Sequence, residues 1–261
     1  MNLQLDSRRA LVCGASRGIG RAVAQALAAS GAEVIAVARD ASALAEVLAT
    51  LSTAAQQTHQ AVALDLSDSE ALSASIQEMA ATAPVQIVIN NTGGPAAGPA
   101  IEADPEQFEA AFAQHVLAAQ RIARALLPGM KTAGYGRIIN IISTSVKEPI
   151  PGLGVSNTIR GAMASWSKTL SRELGPFGIT VNNVLPGFTA TERLDYIFQG
   201  RADKSGQTVD AVRQQALSSV PAGRFAKPAE IANAVAFLAS PAAAYINGIN
   251  LPVDGGRTGS L

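Results

Sequence analysis

The feature that most constrains this chain is the regular alternation of short apolar runs with longer helical patterns along its 261 residues. The apolar runs are rich in valine and isoleucine, which favour strands. The segments between them carry the spacing of amphipathic helices. Since a helix that connects two strands of one sheet makes them parallel, the alternation predicts an α/β protein. We expect a doubly wound parallel sheet of about seven strands with helices on both faces.

The predicted elements fill most of the chain and leave one long irregular region. Strands are predicted at 10–13, 33–38, 61–64, 85–89, 137–142, 180–184 and 248–253. Helices are predicted at 19–30, 42–56, 68–81, 104–130, 153–174 and 228–240. Because long irregular segments in compact domains tend to be functional, we predict a substrate-binding loop or lid at about 187–227. No linker or repeat interrupts the pattern, so residues 1–261 are expected to form a single domain.

Composition excludes several classes of protein. Hydrophobic residues make up 48% of the chain and charged residues 15%, with a formal net charge of zero. These values favour a folded globular protein and argue against nucleic acid or an anionic membrane surface as a partner. Cys13 is the single cysteine, and neither a signal peptide nor a run of ~20 apolar residues is present. We therefore expect a cytoplasmic protein, and no metal site is predicted.

A glycine-rich turn follows the first predicted strand and opens the first helix. Its spacing is Gly-x3-Gly-x-Gly. Glycines let the backbone approach a pyrophosphate, which then lies on the amino terminus of the helix. The turn therefore predicts a dinucleotide site in a Rossmann domain, and the alternative is a tight turn that holds no ligand. The candidate residues are Gly14, Ser16, Arg17, Gly18, Ile19 and Gly20.

This spacing resembles that of the short-chain dehydrogenase/reductases, and the resemblance continues through almost the whole chain. Three further segments carry it: Asn90–Gly93, Pro186–Gly187 with two following threonines, and Val253–Gly256. Val220–Phe225 resembles the 3-oxoacyl-carrier-protein reductases in particular. The cofactor contacts that the resemblance implies beyond the turn are Asp65, Leu66, Asn91, Gly93, Arg160, Pro186, Gly187, Thr189 and Thr191. Cys13 replaces the threonine usual in the family, which implies the loss of a hydrogen bond to the Asn90–Gly93 loop.

Charge at the end of the second predicted strand indicates which dinucleotide is bound. NAD-specific sites place a carboxylate there, whereas a guanidinium fits the 2′-phosphate of NADP. The strand ends at Arg39, and Arg17 lies in the glycine turn. We therefore predict NADP(H) as the preferred cofactor and NAD(H) as the second. The alternative is that both arginines are solvated and that Asp40 serves NAD.

Three of the four catalytic positions of the family are changed. Ser143 follows the fifth predicted strand, as the family serine does. Where the family has Tyr-x3-Lys, this chain has Ser156 and Arg160. His115 stands at the position of the family asparagine. The candidate catalytic residues are therefore Ser143, Ser156, Arg160 and His115.

These replacements differ in what they can do chemically. Ser156 cannot replace tyrosine as an acid, because an alkanol is a much weaker acid than a phenol of pKa ~10. Arg160 stays charged and can still bind the nicotinamide ribose. His115 is expected to titrate near neutral pH and to donate a proton, unless it packs or bonds within its own helix. Tyr196 in the predicted lid and water are the other proton sources.

Other side chains are expected to lie outside the chemistry. Tyr135 precedes a strand at the end remote from the cofactor. Tyr245 is expected in the core or in a subunit contact, and His59 is expected to be exposed. The resemblance also implies a homotetramer or homodimer packed through the helices near 104–130 and 153–174.

Two functions stay open on the sequence. The first is a reductase or dehydrogenase that transfers hydride to or from a carbonyl, or reduces a conjugated alkene such as an enoyl thioester. The second is a catalytically impaired NADPH-binding protein that acts as a sensor or assembly subunit. Arg193, Arg201 and Arg213 in the predicted lid either meet an anionic small-molecule substrate or are solvated.

Overall fold

The computed structural model describes residues 2–260. Seven parallel strands form one sheet in the order β3-β2-β1-β4-β5-β6-β7. The strands are β1 (Arg9–Cys13), β2 (Glu33–Ala38), β3 (Gln60–Ala63), β4 (Ile87–Asn90), β5 (Gly136–Ile141), β6 (Ile179–Pro186) and β7 (Asn250–Val253). Strand order reverses between β1 and β4, which opens a crevice at their carboxyl ends where such folds bind ligands. The predicted Rossmann fold is confirmed.

Helices cover both faces of the sheet. They are α1 (Gly18–Ala29), α2 (Ala41–Leu48), α3 (Ser69–Thr82), α4 (Pro105–Phe112), α5 (Ala118–Ala133), α6 (Gly154–Leu174), α7 (Glu192–Ser205), α8 (Val209–Ser218) and α9 (Pro228–Ala239). A π-helical turn, Ala113–Leu117, joins α4 to α5. Within residues 2–260, no helix is long and apolar enough to cross a membrane.

The two faces of the sheet bury separate apolar layers. Along β1, Val12 belongs to the layer formed with α1, α2 and α9, whereas Leu11 belongs to the layer formed with α3 and α5. Successive side chains of a strand point to opposite faces, so a strand covered on both sides is apolar throughout. This explains why the central strands appear in the sequence as continuous apolar runs.

A row of asparagines, buried except for the half-buried Asn250, crosses four neighbouring strands, and the sequence analysis did not identify it. The Asn90 amide donates to Oδ1 of Asn140 at 2.7 Å, and the Asn140 amide donates to Oδ1 of Asn183 at 2.9 Å. The Asn183 amide in turn donates to Oδ1 of Asn250 at 2.7 Å. All four residues are paired in register from β4 to β7. Since buried amides are stable only when bonded, the row fixes this half of the sheet.

The second helix is shorter than predicted. It ends at Leu48, and the prediction that it reaches residue 56 is wrong. Gln56 has a φ of 60°, a left-handed conformation that does not continue an α-helix. The segment is held instead by tertiary contacts, such as the hydrogen bond from the Gln57 amide to the carbonyl oxygen of Ala28 at 2.8 Å.

The region predicted to be irregular contains α7 and α8, so that prediction is wrong. The hydroxyls of Thr191 and Thr208 cap the two helices by accepting from backbone N–H groups. Their apolar faces meet in a small cluster around Phe198, which is fully buried. Polar residues dominate both sequences because the opposite faces are exposed, which masked the helical period. We call residues 187–227 the lid.

Two peripheral side chains also differ from expectation. His59 is half-buried, and its ring bonds the backbone N–H of Val34 and the carbonyl of Ser52 at 3.1 and 2.9 Å. Tyr245 is fully exposed, which excludes the core and leaves the subunit contact as the remaining expectation.

Candidate cofactor and active site

The glycine-rich turn connects β1 to α1 through unusually close backbone contacts. Gly14 has a φ of 62°, and a Cβ there would lie 2.5 Å from the carbonyl oxygen of Asn91. A Cβ on Gly20 would lie 2.0 Å from the carbonyl oxygen of Gly14. Neither position accepts a side chain, so glycine is required for the turn to pass this close to α1 and the Asn90–Gly93 loop.

The amino terminus of α1 is suited to an anion. Arg17 occupies the cap position without a side-chain cap, and the first turn has no acidic residue. The first N–H groups of a helix lack internal partners and carry partial positive charge. This uncapped end beside Ser16, Gly18 and Ile19 fits the pyrophosphate of a dinucleotide.

The Asn90–Gly93 loop is attached to the turn, although Cys13 stands where the family resemblance predicts a threonine. The Asn91 amide donates to the carbonyl oxygens of Cys13 and Gly14 at 3.3 and 3.2 Å. Burial raises the pKa of the Cys13 thiol to about 12, so that side chain is a neutral packing group. Backbone acceptors therefore provide the connection.

Positive charge dominates the end of β2, where the ribose of the adenosine would lie. Arg39 is exposed, and Arg17 forms an exposed ion pair with Glu192 at 3.2 Å. The Asp40 carboxylate accepts from the backbone N–H of Ala43 at 3.0 Å and so caps α2. Asp40 therefore has a structural role, and the arginines are the groups available for a ligand.

Asp65 lies close enough to Arg39 for their charges to interact. Hydrogen bonds from the backbone and hydroxyl of Ser67 hold the pKa of Asp65 below its usual value, and the charge of Arg39 adds to the effect. Leu66, the next residue, packs half-buried against the apolar layer under α3 and α5. Asp65 and Leu66 follow β3, where the adenosine of the cofactor is expected to lie.

The base of the lid meets the glycine turn at the other end of the crevice. The N–H of Gly187, after Pro186, donates to the carbonyl oxygen of Val253 at 3.0 Å. Thr189 is buried, and its segment pairs with Ala226. The methyl group of Thr191 lies 3.3 Å from the position that a Cβ on Gly18 would take. Of the four predicted residues from 186 to 191, Thr191 therefore lies beside the turn, whereas Gly187 contacts β7 and Thr189 contacts the end of the lid.

Ser143 follows β5 and keeps a hydrogen available for a ligand. Its Oγ accepts from the N–H of Ser145 at 3.1 Å. The hydroxyl can therefore still donate toward the crevice. Ser156 is half-buried in the first turn of α6, one turn before Arg160.

Arg160 is a buried cation with few partners. Its side chain donates to the carbonyl oxygens of Ile141 at 3.2 Å and Thr92 at 3.5 Å, and the residue is 7% exposed. Burial, together with repulsion from Arg193, lowers the pKa of Arg160 to about 10. The guanidinium remains charged at neutral pH, so it can interact with a ribose or with a developing negative charge.

His115 lies in the π-helical turn, and its protonation differs from expectation. Burial, followed by the charge of Arg160, lowers the pKa of His115 to about 3, so the prediction of titration near neutral pH is wrong. Nδ1 bonds the hydroxyl of Thr92, a partner outside its own helix, and Nε2 has no partner within residues 2–260. His115 and Arg160 line one small cavity with Thr92 and Asn90. A neutral imidazole at this position is a poor proton donor.

The tyrosines are not placed as proton donors by any contact with these groups. Tyr196 is 71% exposed on α7, with the guanidinium of Arg193 5.5 Å from its ring centre. The Tyr135 hydroxyl donates to the carbonyl oxygen of Ala239, where α9 ends, remote from the crevice as expected.

Two further arginines lie near the site: Arg193, one of the three lid arginines that the sequence analysis named for an anionic substrate, and Arg257, which it did not recognise. Arg193 reaches the carbonyl oxygens of Gly94 and Pro95 at 3.4 and 3.3 Å. Arg257 donates to the hydroxyl of Thr144 at 3.4 Å and lies over the ring of Phe188. The position of Arg257 directly after the Val253–Gly256 signature was the available signal.

The chain matches known proteins over nearly its whole length. The family described as enoyl-(acyl carrier protein) reductase matches residues 14–258. The 3-oxoacyl-[acyl-carrier-protein] reductase FabG of Vibrio harveyi is 34% identical, over 97% of this chain and 98% of the relative. L-sorbose reductase from Gluconobacter frateurii, solved with NADPH and L-sorbose, is 31% identical, with a TM-score of 0.93 over 100% of both chains. An NAD⁺-bound xylitol dehydrogenase is 26% identical, with a TM-score of 0.89 over 96% of this chain and 99% of that structure.

Proposed function

Since this chain belongs to the short-chain dehydrogenase/reductase family, we propose that it is an NADP(H)-dependent oxidoreductase acting on a carbonyl or conjugated enoyl substrate. The bound dinucleotide supplies the hydride. The observation that carries the proposal is the pairing of a close-packed phosphate turn, at Gly14 and Gly20, with a buried cation, Arg160, across the same crevice.

The preference for NADPH is supported by charge. Arg39 and Arg17 are exposed where a 2′-phosphate would lie, whereas Asp40 is engaged as a helix cap. A guanidinium binds phosphate through charge-assisted hydrogen bonds. The NADPH complex of L-sorbose reductase is consistent with this choice, and the NAD⁺-bound xylitol dehydrogenase supports NAD(H) as the second cofactor.

The side chains of the site favour reduction of a conjugated alkene over reduction of an isolated ketone. A ketone that accepts hydride needs a proton at its oxygen, and the neutral His115 and the alkanol Ser156 are both poor acids. When hydride adds to the β-carbon of an unsaturated carbonyl compound, negative charge develops on the carbonyl oxygen instead. Ser143 can donate a hydrogen bond to that oxygen, and the charge of Arg160 stabilises it. Water then supplies the proton to the α-carbon, which completes the reduction.

A second candidate is the NADPH-binding protein without turnover. The observation that favours it is the combination of Ser156 with a His115 whose pKa is about 3, which leaves the site without an acid matched to neutral pH.

Cofactor binding and turnover test the proposal in one experiment. We expect fluorescence titration to give tighter binding of NADPH than of NADH, by about tenfold, as for one charge-assisted interaction. Arg39→Gln is expected to remove this preference, and the exposed Arg172→Gln on α6 to keep it.

Oxidation of NADPH is then followed with ketones, 3-oxoacyl thioesters and enoyl thioesters. Binding without oxidation by any of them favours the second candidate, and binding of neither nucleotide contradicts both.

We also propose the homotetramer or homodimer that the family resemblance implies. Ile101, Phe112 and Leu117 lie before and along the α4–α5 helical segment with exposed fractions of 95%, 40% and 39%. Exposed apolar side chains close together in a chain favour contact with another copy. Light scattering is expected to give a mass at least twice that of the monomer, and a monomeric mass contradicts this assignment.

A further inference from the structure

Two arginines from different parts of the chain converge on Gly94. A Cβ on Gly94 would lie 3.8 Å from Nη2 of Arg193 and 3.9 Å from Nη2 of Arg160. Among the residues that the structure describes, no other atom lies within 4 Å of that point, apart from the glycine itself and its chain neighbours. The two Nη2 atoms are therefore less than about 8 Å apart, so one carboxylate lying between them beside Gly94 can accept a hydrogen bond of about 2.9 Å from each.

Neither arginine has a carboxylate partner in the part of the chain that the structure describes. The salt bridges there involve other arginines, as in Arg9 with Glu33 and Arg213 with Asp195. Arg160 is 7% exposed and bonds only two carbonyl oxygens, one of them at 3.5 Å. A buried guanidinium is normally paired with an acid, since its desolvation is otherwise not compensated.

The guanidinium groups of Arg160 and Arg193 repel each other beside Gly94. The charge of Arg193 acts on Arg160, and the two guanidinium groups have no acid between them. Arg193 is exposed on the first turn of α7, where it contacts the carbonyl oxygens of Gly94 and Pro95. An anion between the arginines would replace this repulsion with two charge-assisted hydrogen bonds, and a carboxylate has the planar shape that a guanidinium prefers.

We propose that Arg160 and Arg193 bind the carboxylate of the substrate at Gly94, so that the protein acts on unsaturated or oxo carboxylic acids rather than on neutral compounds. This inference rests on the proposed function, because it assigns the substrate's acid group to Arg160, which contacts the carbonyl oxygen of Ile141 two residues before Ser143. Arg193 belongs to the lid, so it also couples recognition of the acid to the position of α7.

The test compares acids with their methyl esters by calorimetry on protein saturated with NADP⁺. The probes are cinnamate, phenylpyruvate and trans-2-hexenoate, each with its ester. For at least one pair, we expect the acid to bind about tenfold more tightly, the size of one or two charged hydrogen bonds. Arg193→Gln is expected to bring acid and ester within about threefold, and Arg193→Lys to keep part of the preference. Arg213→Gln is the matched control, because that lid arginine already pairs with Asp195, and it is expected to change nothing.

Three results would overturn the inference. The first is a protein that binds no acid of the series more tightly than its ester. The second is an acid preference that survives Arg193→Gln. The third is an Arg193→Gln variant that loses NADP⁺ affinity and keeps the acid preference, since the arginines would then serve a phosphate of the cofactor. Because the readout is binding, an acid preference without NADPH oxidation supports this site and contradicts only the proposed reductase activity.

Discussion

The cofactor half and the catalytic half of this molecule depend on different kinds of group. Around β1, α1 and β2 the contacts come mainly from the backbone, as in the turn from Gly14 to Gly20. Across β4 to β7 they come from side chains, including the buried asparagine row, His115 and Arg160. Backbone geometry tolerates little change at its glycines, whereas a side chain can be replaced on an unchanged fold. This difference allows a family fold to persist around different catalytic side chains, as we predict for Ser156 and Arg160 at the Tyr-x3-Lys positions.

The largest expected effect is in the asparagine row, which connects the strands of the catalytic half. Asn140→Leu removes the acceptor of the Asn90 amide and one of the two donors to Oδ1 of Asn183, at a site where Asn140 itself has no exposed surface. We expect the free energy of unfolding to fall by about 3 kcal/mol, since each unsatisfied buried group costs about 1–3 kcal/mol. Urea unfolding measures this. A loss below about 1 kcal/mol would show that the row contributes little.

The next effect tests the backbone character of the cofactor half. Gly14→Ala introduces a Cβ 2.5 Å from the carbonyl oxygen of Asn91 at a φ of 62°. We expect the Kd for NADPH to rise by about a hundredfold, equivalent to about 3 kcal/mol. Gly200→Ala is the control, because within residues 2–260 no atom outside its chain neighbours and its own helix backbone lies within 4 Å of its Cβ position. Equal affinities of the two variants would contradict a backbone-built site.

Ser156→Tyr tests whether the catalytic half differs only in its side chains. A phenol at this position restores an acid of the type the family uses, and general acid catalysis contributes about 10²–10⁴-fold. We expect ketone reduction with NADPH to rise by about tenfold, below that range because Arg160 and His115 are unchanged. Steady-state kinetics with one ketone measure it. If NADPH binding is intact and the rate of ketone reduction does not change, the catalytic half differs from that of the family in more than Ser156, Arg160 and His115.

The protonation of His115 makes the catalytic half sensitive to acid. Its pKa is lowered from 6.5 to about 3 in the folded protein, so between these values the unfolded chain binds more protons. Stability therefore falls as the pH drops from about 6.5 toward 3. Between about pH 6 and pH 5 we expect the wild type to lose about 1 kcal/mol more than His115→Asn. Urea unfolding at both pH values measures the difference, and parallel losses would contradict the lowered pKa.

The smallest effect is expected at the ion pair that joins the glycine turn to the lid. Arg17 and Glu192 are both more than three-quarters exposed, and such pairs contribute about 0–1 kcal/mol. Glu192→Gln frees Arg17 for a 2′-phosphate, so we expect NADPH to bind about twofold more tightly, with NADH unchanged. Titration with both nucleotides measures this. Equal gains for NADPH and NADH would place the effect elsewhere than the 2′-phosphate.

The sequence predicted most of the fold, whereas its assignment of the cofactor contacts remains a prediction. Alternating apolar runs and the glycine spacing depend on local pattern, and the strands from β1 to β7 follow them closely. The lid helices were missed because their apolar faces contact mainly each other and Phe188. The low pKa of His115 was not predicted, because the surroundings of the ring depend on Thr92 and Arg160, which are distant in the chain. Convergence of Arg160 and Arg193 on Gly94 likewise requires coordinates, since no local pattern relates these residues.

The central claim is that this crevice transfers hydride without a phenolic acid, and the destination of the hydride tests it most directly. The measurement is turnover of NADPH, deuterated at the transferred position, with an unsaturated oxo acid that offers both a conjugated alkene and a carbonyl group. The product is then examined by NMR. We predict deuterium at the β-carbon, as expected when Ser143 and Arg160 stabilise negative charge on the oxygen. Deuterium at the carbonyl carbon would contradict the preference for conjugate reduction, and a substrate that takes up no deuterium while NADPH binds would contradict the reductase itself.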